Sequence, residues 1–101
     1  MPQMPKEQIT EAIDQAVVFC RSKEEAKEYE SVSLRGVLYD LGYGIDQVEN
    51  VLQTCAKRGF WYCLDSSIPH QDGHYPAQAV CYWGPDQLRS RLECLHTEVA
   101  S

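Results

Sequence analysis

The sequence predicts an α+β domain that is mainly helical, with one β-hairpin placed before a C-terminal helix. Two observations predict it. Apolar residues recur every three or four positions in four separate segments, the period of a helix that buries one face. Between the third and fourth of these, residues 60–64 and 80–83 are aromatic, branched aliphatic and thiol residues that suit a pleated, packed surface. With 101 residues and 44% hydrophobic content, residues 1–101 make a single domain that can bury a core without disulfides or metal.

A tail of residues 1–5 precedes the first helix, expected over residues 6–30. Ile9, Ala12, Ile13, Ala16, Val17 and Cys20 share one face, and Pro5 is compatible with a helix start. Beyond Lys23 charge dominates, so that end reads as an extension or a separate turn. Ser33 caps a short second helix whose stripe is Leu34, Val37, Leu38 and Leu41, and Gly42, Tyr43 and Gly44 stop it. Asp46 and Glu49 have the spacing of a capping box that opens a third helix, with Val48, Val51, Leu52 and Cys55 inward and Gly59 as the stop.

The hairpin register that is symmetric about Asp72 pairs Trp61 with Trp83, Tyr62 with Tyr82, Cys63 with Cys81 and Leu64 with Val80. Trp61 and Trp83 then point away from Tyr62 and Tyr82, which leaves both hairpin faces apolar. One face needs cover from the last helix or from a partner. Gly84 and Pro85 end the hairpin, and a final helix over residues 85–99 carries a narrow seam of Leu88, Leu92 and Leu95. Such a seam suits helix-on-helix packing within the chain or across a dimer.

Helix, short helix, turn, helix and two-stranded wing is an order that resembles the winged-helix superfamily, by pattern over residues 9–83. The resemblance implies that the third helix lies in the DNA major groove and that the wing touches the backbone. On that reading Gln47, Asn50 and Gln53 would reach base edges, and Lys57 and Arg58 would help contact the DNA. The charge opposes it. The whole chain carries fifteen acidic residues against nine Lys plus Arg, and residues 30–84 hold six acidic residues against three basic ones. The loop at residues 66–78 has no Lys or Arg. Phosphate contacts supply much of DNA affinity, so protein recognition becomes the leading expectation and sequence-specific DNA regulation the alternative. A third reading takes the acidic outer side of the first helix (Glu7, Glu11, Asp14, Glu24, Glu25, Glu28 and Glu30) as an imitation of nucleic acid, in the manner of small phage-encoded inhibitors. The plain alternative is a solvated helix face.

Chemistry leaves few candidates. Cys63, His70, His74 and Cys81 are spaced C-x6-H-x3-H-x6-C, offering four zinc-type donors, although the cysteine spacing departs from structural zinc sites. Packed thiols and a surface loop are the favoured reading. No nucleophile–base triad or phosphate-binding glycine loop is recognisable, so the chain is expected to be non-enzymatic and to need no cofactor. Five scattered cysteines without a C-x-x-C pair fit a reducing compartment. No apolar run approaches a membrane span and the N-terminus lacks signal-peptide features, so a cytoplasmic protein is expected. The expected partner is a second copy or another protein. Trp61, Trp83, Tyr62 and Tyr82 are the residues expected in the wing core or interface, with Leu88, Leu92 and Leu95 at a dimer seam.

Overall fold

The structure, a computed structural model, describes residues 4–58 and 82–100. Along the chain these form α1 (Lys6–Glu25), β1 (Val32–Ser33), α2 (Leu34–Asp40), α3 (Ile45–Lys57), β2 (Tyr82–Trp83) and α4 (Pro85–Ala100). The fold class is the one expected, a mainly helical α+β arrangement, with one antiparallel pair of strands among the described residues.

The expected stripe of α1, from Ile9 to Cys20, is buried in full. The helix stops at Glu25 rather than at residue 30, because the stripe has ended and the backbone turns. Glu28 N–H donates to the Lys23 carbonyl (2.9 Å) and Lys27 N–H to the Glu24 carbonyl (3.0 Å). This is the paired closure of a Schellman motif, with Lys27 at the left-handed position (φ 57°). The end of α2 uses the same closure, Tyr43 N–H to the Leu38 carbonyl and Gly42 N–H to the Tyr39 carbonyl, but there Gly42 takes the positive φ (98°). A glycine adopts that conformation without steric cost and a lysine does not.

Ser33 caps α2 as expected, its Oγ accepting from Gly36 N–H at 3.0 Å. The start of α3 differs. Gly44 precedes the helix, and Gln47 Oε1 accepts from Gly44 N–H at 2.9 Å. Asp46 sits in the first turn, where the helix dipole favours a carboxylate, while Glu49 pairs with Arg35 on α2 at 2.5 Å. The Asp46–Glu49 capping box is thus replaced by a Gly44–Gln47 cap. The start of α4 repeats the device, with Gly84 N–H donating to Gln87 Oε1 at 3.2 Å and Pro85 as the first helical residue. Both starts read G-x-D-Q in sequence.

One strand was not expected. β1 runs antiparallel to β2, pairing Val32 with Trp83 and Ser33 with Tyr82. Alternation puts Trp83 in the core at 8% exposure and leaves Tyr82 at 48%. The expected strand partners Trp61 and Tyr62 lie outside the described residues.

The centre of the core is Ile13, Val37, Leu38, Val48, Val51, Leu88 and Leu92, drawn from all four helices. No polar or charged residue is buried among those described. Leu88, Leu92, Leu95 and Val99 are covered within the chain, on the face where α4 meets α1. The two helices are antiparallel, since Glu24 at the end of α1 meets Arg89 near the start of α4, while Asp14, midway along α1, meets His96 towards the end of α4. The seam expected to serve a dimer is therefore occupied by the chain's own first helix. That is the within-chain packing its narrow stripe equally suits.

Two stability changes are expected. Leu92→Ala should destabilise the fold by about 2–5 kcal/mol, since it removes a fully buried side chain from the α1–α4 seam. Lys27→Gly should stabilise it by about 1 kcal/mol, because only glycine takes that φ freely. Urea unfolding of both variants checks the pair. A neutral or destabilising Lys27→Gly would show that the αL position is not strained.

Candidate interaction surface

The five polar residues expected to face DNA are all on α3 or its end, and the structure uses them unequally. Gln47 caps its own helix. Asn50 Oδ1 accepts from Met4 N–H at 3.1 Å, and Asn50 Nδ2 donates to the Asp46 carbonyl at 3.1 Å. This amide ties the N-terminal segment to α3. Gln53 is half-buried, whereas Lys57 and Arg58 are exposed at the helix end, with Arg58 reaching back to the Thr54 carbonyl at 3.4 Å. Two of the three amides assigned to base reading are thus engaged in holding the fold.

Large apolar side chains flank the turn between α2 and α3. Tyr39, near the end of α2, is 40% exposed, and Ile45, the first residue of α3, is 67% exposed. Asp40 and Asp46, their sequence neighbours, are exposed carboxylates. Ile45 lies three residues before Val48, so its spacing places it on the buried stripe and periodicity gives no sign of its exposure. The first turn of α3 escapes the cover that the following turns receive. This turn presents apolar side chains flanked by negative charge, a surface suited to a protein partner rather than to phosphates.

A second cluster lies across α1 and α4. Arg89 grips both oxygens of Glu24 (2.5 and 3.1 Å) and also Glu93 (2.6 Å), while Arg21 meets the other Glu93 oxygen at 2.8 Å. The hydrogen bond from Arg21, and after it the one from Arg89, hold the Glu93 carboxyl below the usual carboxylate range. His96 Nε2 lies 3.3 Å from Asp14 Oδ1. These ion pairs, half-buried at Arg89 and Glu24 and more open at Arg21, contribute less than the buried leucines of the seam, so the charges set the alignment of two helices that packing holds together.

The described thiols divide by burial. Burial, reinforced by Glu24, pushes the Cys20 thiol up to about 11, and burial pushes Cys55 up to about 12. Neither is a nucleophile near neutral pH, because the thiolate is the reactive form. Cys94 is exposed. Trp83 is a core residue, with the Arg91 guanidinium stacked 4.5 Å from its ring centroid. The zinc candidates Cys63, His70, His74 and Cys81 lie outside the described residues. Among the described residues, no three His, Cys, Asp or Glu side chains gather as metal ligands. No described helix is long and apolar enough to cross a membrane.

Iodoacetamide at pH 8 should label Cys94 well before Cys20 and Cys55, whose thiolate fractions there are on the order of 10⁻³ and 10⁻⁴. Peptide mapping by mass spectrometry reads the order, and equal labelling of the three in the folded protein would contradict the burial. Glu93 supplies a pH effect of definite sign. Its carboxyl binds a proton more readily unfolded than folded, so its contribution is full above the ordinary glutamate value of about 4.3 and is lost as pH falls through the lower folded value. Glu93→Gln should therefore melt lower than the parent at neutral pH and lose less stability on acidification. Parallel melting curves from pH 7 to pH 3 would show that Glu93 makes no pH-linked contribution to stability.

The chain matches no protein-family model, no curated protein and no solved structure.

Proposed function

We propose that the chain is a non-enzymatic, winged-helix-like regulatory module that acts by binding another protein. The observation that carries this reading is the state of α3. Gln47 and Asn50, the amides best placed by sequence to read bases, are hydrogen-bonded to the protein's own backbone, while Tyr39 and Ile45 are exposed beside the preceding turn. The sequence of helix, short strand, short helix, turn and helix supports the winged-helix resemblance. A net charge of -6 supports a protein target over nucleic acid, because negative charge lowers encounter rates with phosphates by repulsion and raises them with basic surfaces by attraction. With Leu88, Leu92 and Leu95 inside the chain, a homodimer would have to use another surface, and the turn between α2 and α3 is the one favoured here.

DNA binding is the second reading, carried by Lys57 and Arg58, both exposed at the end of α3. One experiment separates the two. The purified chain is used as bait in nuclease-treated and untreated lysate of its source, beside two variants, Tyr39→Ala/Ile45→Asp and Lys57→Ala/Arg58→Ala. The protein reading expects nuclease-resistant capture that the first variant loses and the second retains. Nuclease-sensitive capture lost with Lys57→Ala/Arg58→Ala would overturn it in favour of DNA. Circular dichroism of both variants checks that the exposed substitutions leave the fold intact.

A further inference from the structure

We draw no further inference here: the strongest candidate, the open cleft of about 240 Å³ between the end of α1, β1 and α2 that Phe19, Val32, Val37 and Tyr82 line, is an unpartnered apolar face, and nothing in the structure shows what covers it.

Discussion

The antiparallel packing of α1 on α4 is the constraint on which the rest of the molecule depends. The first helix has its apolar stripe in place within twenty residues, but the leucines that cover it arrive at the far end of the chain. Partners such as Arg21 and Glu93 are 72 residues apart in sequence, so closing this interface orders a long intervening segment. The entropy of that closure is offset only when the seam packs as a unit. Everything between is placed by it. β1 leaves the end of α1 and β2 enters the start of α4, so docking the two helices brings Val32 opposite Trp83. The sheet is a consequence of the helix pair as much as a support for it.

The two short helices follow a different logic. With only three buried residues, α2 is too short to be stable alone, and it is held at both ends by local devices: Ser33 at its start and Gly42 at its end. Its salt bridge from Arg35 to Glu49 and the tie from Met4 to Asn50 then fasten α3. These contacts have a functional consequence. A polar side chain engaged by its own backbone is less available to a ligand, since a new contact must first displace a hydrogen bond already made. Surface residues with no such duty, Ile45 and Tyr39 among them, are better placed to meet a partner.

Much of this was legible in the sequence, and the reason is local. The α1 stripe, the Ser33 cap and the Gly42 stop depend on residues three to five positions apart, where helical geometry alone relates them. The misreadings are instructive for the same reason. Asp46 and Glu49 have the spacing of a capping box, yet Arg35 on the neighbouring helix takes Glu49, and the repeated G-x-D-Q pattern was the better signal for both helix starts. Lys27 carries no mark of its left-handed backbone, because a lysine is tolerated there only when the carbonyls of Lys23 and Glu24 accept the two amides that close the helix.

The sequence by itself determined that the chain would fold into amphipathic helices with a mainly helical α+β character, because periodicity and composition suffice to define which faces must leave water. It also determined an acidic balance that disfavours phosphate. Tertiary structure alone decided that the leucine seam of α4 is covered by α1 of the same chain, that a two-residue strand at Val32 pairs with Trp83, and that Ile45 remains in water despite its position on the stripe. A two-residue strand has no period to detect, and a stripe states that a face will be buried without naming what buries it. That choice rests on contacts between residues more than fifty positions apart, which only the closed chain brings together.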